Sequence, residues 1–139
     1  MTHEATRVLF GLALVLPLAA LAQQSSNDLE MLKKYAGTWA VDCSQPAGAR
    51  ITVDARNLGF GAGGKQLKTA APLAAFSYFG QQQPPAGFDV ALLGEARPTG
   101  LALLAMSDKS GPYLRVDADG PLEKQFGKAA LAGKFRRCP

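Results

Sequence analysis

Residues 32–43, LKKYAGTWAVDC, are the part of the sequence that decides the fold. A stripe of apolar residues at helical spacing precedes Gly37, a residue type at which helices commonly end, so a short helix is predicted at about 28–35. Trp39 and Val41 then alternate with small or polar residues, which is typical of a β-strand. The sequence therefore predicts a helix that leads directly into a first strand.

Two short helices are predicted, and each has a recognisable start. Asn27 and Glu30 have the spacing of a capping box in which Asn takes the place of Ser or Thr. Near the other end of the chain a helix is predicted at 121–129. Pro121 suits its first position, because a backbone N–H there would have no helical partner.

The rest of the chain consists of short apolar segments separated by turn residues about every ten positions, which favours antiparallel sheets. The predicted strands include 49–54, 88–93, 101–106 and 132–138. The predicted fold class is therefore mainly β. We expect a small antiparallel up-and-down barrel, or a sandwich, of seven or eight short strands, with a short N-terminal helix and a short helix before the last strand.

The first 22 residues have the pattern of a secretory signal peptide. Arg7 supplies a positive charge, an apolar run follows, and Ala20-Leu21-Ala22 fits a cleavage site. The run has about 14 residues, fewer than the roughly 20 that a membrane-spanning helix needs. We therefore expect a signal peptide at 1–22, a single domain at 23–139, no membrane span, and a periplasmic or secreted protein.

The chain has two cysteines, Cys43 and Cys138, and in an oxidising compartment such a pair favours a disulfide. In an up-and-down barrel the first and last strands are neighbours although they are distant in sequence. A bridge between these positions would hold the two strands together. By the chain-entropy model, closing so long a loop contributes about 4 to 5 kcal/mol to stability.

The composition excludes several kinds of catalytic site. The single histidine is His3, inside the predicted signal peptide, so the remaining chain has no imidazole for a Ser-His-Asp or Cys-His arrangement. Asp117 and Asp119 lie two apart, but Asp-Ala-Asp-Gly-Pro is typical of a turn before a helix. Asp42, Asp54 and Asp89 are scattered over predicted strands, and nothing in the sequence brings them together. We expect no enzyme activity, no metal site and no cofactor.

The best candidates for partner binding are aromatic. Phe76, Tyr78 and Phe79 precede a loop rich in Gln and Pro at 80–87. In a regular strand Phe76 and Tyr78 share one face and Phe79 lies on the other, so the three rings cannot all point inward. We expect Tyr78 and Phe79 to include a ring that is free to contact a partner.

The opening Leu32-x-x-Tyr35-x-Gly37-x-Trp39 resembles the start of calycin barrels, in which lipocalins and avidins have a Gly-x-Trp at the entry to the first strand. The resemblance implies that Gly37 and Trp39 are core residues at the barrel entry. Ala36-Gly37-x-Trp39, followed by a cysteine, is also similar to the small periplasmic barrels that inhibit secreted bacterial metalloproteases. Avidin-like biotin sites use several tryptophans, and this chain has one.

Two hypotheses about function follow. The first is an inhibitor or immunity-type protein that binds an envelope or secreted hydrolase with a rigid barrel. The alternative is a carrier of a small apolar ligand, which would need an empty apolar pocket larger than roughly 300 Å3. The net charge of +4 is too modest to indicate a nucleic-acid partner for an exported protein.

Overall fold

The computed structural model describes residues 24–81, 83–95 and 100–139, and the predicted signal peptide at 1–22 lies outside them. The described elements follow one another in the order α1 (Ser26–Lys34), β1 (Gly37–Ala40), β2 (Arg50–Val53), β3 (Asn57–Ala62), β4 (Lys65–Ala70), β5 (Leu73–Ala75), β6 (Phe88–Gly94), β7 (Leu101–Asp108), β8 (Gly111–Val116), α2 (Gly120–Phe126), α3 (Lys128–Leu131) and β9 (Arg136–Arg137).

The strands form two antiparallel sheets. The first sheet has the order β4-β3-β2-β1-β9, and the second has the order β5-β6-β7-β8. Within each sheet, and apart from β9, strands that are consecutive in sequence lie side by side, as in an up-and-down arrangement. This confirms the predicted fold class: a mainly β protein with a short helix at its start and short helices before its last strand.

The two sheets meet at two corners. At one corner the chain passes from β4 into β5, and the N–H of Glu95 donates to the carbonyl of Ala70 at 3.1 Å. At the other corner Leu114 and Phe135 exchange backbone hydrogen bonds of 2.9 Å. Only isolated bonds join the sheets at these corners, so the barrel is not closed by continuous strand ladders, and its shape is intermediate between a barrel and a sandwich.

The space between the sheets is filled by side chains. Strand residues alternate between faces, and the inward-facing ones of both sheets interlock with residues from the helices. The large side chains that are fully buried are Trp39, Phe60, Phe135, Leu32, Ile51, Leu58, Leu92, Leu101, Leu103, Leu114, Leu122 and Val90.

Helix α1 begins two residues earlier than the sequence pattern indicated. Ser25 is the N-cap: its side chain accepts from the N–H of Asp28, and the Asp28 carboxylate accepts from the N–H of Ser25 at 2.7 Å. The capping box predicted from Asn27 and Glu30 is therefore wrong. The other carboxylate oxygen of Asp28 accepts the N–H of Ala74 at 2.8 Å, which occupies a donor of the edge strand β5.

Three other predicted elements are longer than those observed. The strand expected within 73–79 ends at Ala75, and the strand expected at 132–138 comprises only Arg136–Arg137. The helix expected at 121–129 is divided into α2 and α3 by Gly127, whose φ of +82° is not helical. These elements end where the backbone leaves regular geometry, which local periodicity does not report.

Trp39 connects α1, β1 and β9. It is fully buried, and its indole N–H donates to the carbonyl of Tyr35 at 2.9 Å. The guanidinium of Arg137 lies 4.6 Å from the centre of its ring and donates to the carbonyl of Lys34 at 2.6 Å. Gly37, in contrast, is exposed, and its φ of +131° is one that side-chain-bearing residues rarely adopt. Of the two residues expected in the barrel-entry core, only Trp39 lies in the core.

A polar contact ties α1 to the second sheet. The hydroxyl of Tyr35 donates to Asp89, and the ammonium of Lys34 lies 2.8 Å from the same carboxylate. Burial, together with the hydrogen bond to Asp89, raises the pKa of Tyr35, so the phenol stays protonated. The hydrogen bonds from Lys34 and Tyr35 lower the pKa of Asp89, which stays ionised.

The predicted disulfide is confirmed. Cys43 and Cys138 are bonded, with Cα atoms 5.6 Å apart and 95 positions of sequence between them. The guanidinium of Arg50 donates to the carbonyls of Cys43 at 3.0 Å and Gln45 at 2.9 Å. Val41, expected on the first strand, lies just beyond its end and is exposed.

Trp39→Ala is expected to lower the free energy of unfolding by about 3 to 5 kcal/mol, since it opens a cavity in a packed core. Trp39→Phe retains a ring and should cost less. Urea denaturation followed by circular dichroism measures both. A near-neutral result for the alanine variant would contradict the role of Trp39 in joining α1, β1 and β9.

Asp28→Asn tests the link between the helix cap and β5. Burial raises the pKa of Asp28, but the hydrogen bonds from Ala74 and Ser25 outweigh it and leave this pKa below its ordinary value. The ionised carboxylate therefore contributes stability at neutral pH that is lost as the pH falls through the lowered pKa. We expect Asp28→Asn to cost about 1 to 2 kcal/mol at pH 7.

The same experiment run at several pH values supplies the control. The difference in unfolding free energy between the wild type and Asp28→Asn should begin to shrink below about pH 4, where the carboxyl of the unfolded chain becomes protonated, and should keep shrinking until the pH has fallen through the lowered pKa of the folded state. A difference that stayed constant down to pH 2 would show that the charge of Asp28 is not involved.

Candidate protein-binding surface

The second sheet is apolar on both faces. One face packs into the core, and the opposite face holds a separate buried cluster of Ala91, Leu104, Met106 and Tyr113. Sheets with one face in water usually alternate apolar and polar residues, whereas β7 is apolar at every position in 101–106. The outer face of this sheet therefore needs a cover.

The segment after β5 supplies part of that cover. The ring of Tyr78 lies edge-on to Phe88, with 5.4 Å between ring centres, and packs with the outer cluster. Tyr78 is half-buried, while the exposed fractions of Phe76 and Phe79 are 56% and 51%. One of the three aromatic residues thus covers the sheet, and two extend the apolar surface outward.

Phe79 occupies the tip of a tight turn. Tyr78 and Gln81 form an isolated β-bridge, with the N–H of Gln81 donating to the carbonyl of Tyr78 at 2.9 Å. The two residues between them have positive φ, +48° at Phe79 and +72° at Gly80, which is the signature of a type I′ turn. Asn, Asp and Gly are favoured at such positions, so a phenylalanine there is strained by about 1 to 2 kcal/mol.

Together these residues form what we call the aromatic rim: Leu73, Phe76, Tyr78, Phe79 and Leu93. Leu73 on the edge strand β5 is opposite Leu93 in register and is 39% exposed. The rings of Tyr78 and Phe79 are 5.0 Å apart at a steep angle, so the half-buried ring supports the exposed one. A fixed, exposed aromatic group beside an apolar sheet is suited to binding another protein.

The structure brings Tyr78 and Phe79 together, although not in the way the sequence indicated. The expectation that the rings could not all point inward assumed a regular strand, whereas β5 ends at Ala75 and a turn follows. The outer cluster with Leu104 and Met106 was not predicted. The unbroken apolar run at 101–106 could have indicated it, because a strand without polar positions is typically buried on both faces.

Four of the five carboxylates considered as catalytic candidates accept hydrogen bonds that hold local structure, and for the fifth, Asp117, the observed contact is made by its backbone. Asp119 accepts a backbone N–H at 2.9 Å and caps α2, and the backbone N–H of Asp117 pairs with β7. Asp42 and Asp54 accept backbone N–H groups within turns. Asp89 pairs with α1 as described above. Over the described ranges no group of three or more His, Cys, Asp or Glu residues could hold a metal ion.

Surface depressions lined by described residues include two of several hundred cubic ångströms. One, of about 510 Å3, follows the outer face of the first sheet along β3 and β4. The other, of about 400 Å3, lies where β8 meets α2 and α3. Both are open to solvent, whereas a carrier of an apolar ligand would use the interior, which side chains occupy. The carrier alternative stays a prediction.

In the part of the chain that the structure describes, no helix has the length and apolar character needed to cross a membrane. A comparison of the sequence with family models, with curated proteins and with solved structures finds no match. The function of the protein is therefore inferred from its own residues.

Proposed function

We propose that this chain is an exported, non-enzymatic binding protein, an inhibitor or immunity-type protein that blocks an envelope or secreted hydrolase. The observation that carries the proposal is Phe79, an exposed ring held in strained geometry at the tip of a tight turn. Backbone strain at an exposed position is a recurrent property of functional sites.

The aromatic rim favours a protein as the partner. Large, rigid rings contribute most of the energy of protein interfaces, because they bury much area and lose little conformational freedom. Phe79 is held by its turn and by Tyr78, so its side chain has little conformational entropy left to lose on binding. A concave apolar pocket on the partner would accept it.

The surroundings of the polar side chains support a non-enzymatic role. Both cysteines are in the disulfide, and the only histidine is at position 3. The aspartates at 42, 54, 89 and 119 accept hydrogen bonds that hold turns, a helix cap and α1 in place. These carboxylates act as structural acceptors, which differs from the pairing of acid and base in hydrolytic sites.

Export is supported by the disulfide and by the signal-like sequence at 1–22. The partner would share that compartment. The resemblance of Ala36-Gly37-x-Trp39 to the opening of metalloprotease-inhibitor barrels directs the search toward hydrolases.

Phe79→Asn and Phe79→Ala separate turn strain from ring contacts, because both remove the ring and only Asn is suited to positive φ. We expect the Asn variant to be more stable than the Ala variant by about 1 kcal/mol. Urea denaturation of the two variants measures the difference. Equal stabilities would show that residue 79 is not strained in solution.

The function is tested by titrating the oxidised protein into the periplasmic and secreted hydrolase fractions of the organism that produces it. One hydrolytic activity should fall to a plateau at a stoichiometric amount of protein. Phe79→Asn should weaken inhibition at least about tenfold, the effect of losing an interface hot spot.

Val41→Ser is the matched control, because Val41 is an apolar residue of similar exposure, 58%, just beyond the end of β1 and two residues before Cys43 of the disulfide. It should inhibit as the wild type does. If no hydrolase is inhibited, the proposed function is wrong. If Phe79→Asn inhibits as well as Val41→Ser, the aromatic rim is not the contact surface.

A further inference from the structure

The depression on the first sheet is a trough with glycines as its floor. In register, Gly59 lies between Thr52 of β2 and Lys68 of β4, and Gly61 lies between Arg50 and Gln66. The side chains of the two outer strands thus form walls around a central strand that has none at these positions. We call this site, of about 510 Å3, the glycine trough.

The trough is blocked at one glycine and open at the other. A Cβ at Gly59 would collide with the hydroxyl of Thr52, so the floor there is already covered. At Gly61 a Cβ would meet its nearest neighbours at 3.5 Å, an ordinary contact, and the backbone there has no positive φ. The open volume near Gly61 is therefore due to a missing side chain, and a side chain would fit there.

The ionisable side chains on the trough's face of the sheet are two cations, Arg50 and Lys68, whereas Lys65 is opposite Ala62 in register and belongs to the other face. Arg50 is fixed by two backbone carbonyls, and Lys65 donates to the carbonyl of Gln125 at 2.9 Å. Within the described ranges none of the three has a carboxylate within 4.0 Å. The pKa of Asp54 is lowered mainly by the hydrogen bonds that its carboxylate accepts, and burial opposes them. The nearby charge of Lys68 lowers this pKa further by a smaller amount.

We propose that the glycine trough binds an extended acidic peptide segment of a partner protein. The peptide would lie over Gly61, with the carboxylates on one of its sides pairing with Lys68. The small apolar groups on its other side would lie against Pro46 and Ala47 of the adjoining loop, where the charge of Arg50 adds to the positive field. The walls are two strand spacings apart, about 9.6 Å, which is wide enough for one extended chain. This binding site is separate from the aromatic rim and does not depend on the hydrolase proposal.

A peptide fits the lining better than a bare polyanion does. Cations alone would suit any chain of phosphates, but this lining mixes two cations with apolar side chains and an exposed glycine backbone. A chain in which carboxylates alternate with small apolar residues matches both the cations and the apolar groups of the lining. Charge pairing at such open sites contributes modestly, so the affinity should fall as salt rises.

The test is a titration of the oxidised full-length protein with a capped peptide of about eight residues that alternates Asp and Ala, long enough to extend along the trough. Amide shifts in a nitrogen–proton NMR spectrum should move for residues 59–61 and 65–68. A peptide with Asn in place of each Asp should bind at least about fivefold more weakly, because it lacks the charges. Equal binding of the two peptides would overturn the proposal.

Gly61→Val is the decisive variant. It fills the trough with a residue type favoured in strands, so the fold should persist while peptide binding is lost. Lys68→Gln should weaken binding about two- to fivefold, and the matched control Lys33→Gln, on exposed α1, should not. Unchanged binding by folded Gly61→Val would show that the peptide lies elsewhere.

Inorganic polyphosphate separates a peptide site from a general anion site. If polyphosphate bound more tightly than the Asp-Ala peptide, and Gly61→Val abolished its binding, the acidic peptide would be excluded as the preferred occupant. If polyphosphate shifted the amide signals of the lysines but not that of Gly61, it would bind outside the floor of the trough, and the peptide proposal would be supported. The trough and the aromatic rim are distinguished because Phe79→Asn should leave peptide binding unchanged.

Discussion

The antiparallel pairing of β1 with β9 is the contact on which the other parts of the fold depend. It joins two strands that are far apart in sequence, and it places Arg137 over the ring of Trp39. The same pairing brings Cys138 to its bonding partner and leads Phe135 to its bridge with Leu114. Without this pairing the first sheet would lose a strand, one corner between the sheets and its disulfide.

The two sheets use their outer faces differently. The first sheet has polar side chains such as Thr52 and Lys68 on its outer face, with glycines between them. The second sheet buries Leu104 and Met106 on its outer face beneath Tyr78. One small domain thus offers a hydrated cationic surface and a dry aromatic one, which could bind chemically unlike partners without competition.

Much of the fold was predictable, because its strongest sequence signals lie within short segments or in one pair of residues. The spacing of Gly37 and Trp39 and the presence of two cysteines predicted the first strand and the disulfide. The cap of α1 was not predictable, because Asn27 and Ser25 both suit a helix start. The tertiary bond from Ala74 to Asp28 favours the second choice. Such a bond has no local signature in sequence.

The candidate site was predictable only in part. Tyr78 and Phe79 stood out as aromatic residues, but nothing about phenylalanine predicts a left-handed backbone. The turn forms because Gly80 and the bridge to Gln81 fit it, and the strain at the tip is compensated by the surrounding structure. The neighbouring outer cluster required knowing which strands lie side by side.

The long separation of the bonded cysteines has a consequence for biogenesis. A chain that crosses a membrane in N-to-C order presents Cys43 while 95 positions still separate it from Cys138. During that interval the first thiol has no native partner and is open to capture as a mixed disulfide by an oxidase. Under the proposed export, the Cys43–Cys138 bond would therefore form only after Cys138 has also crossed the membrane.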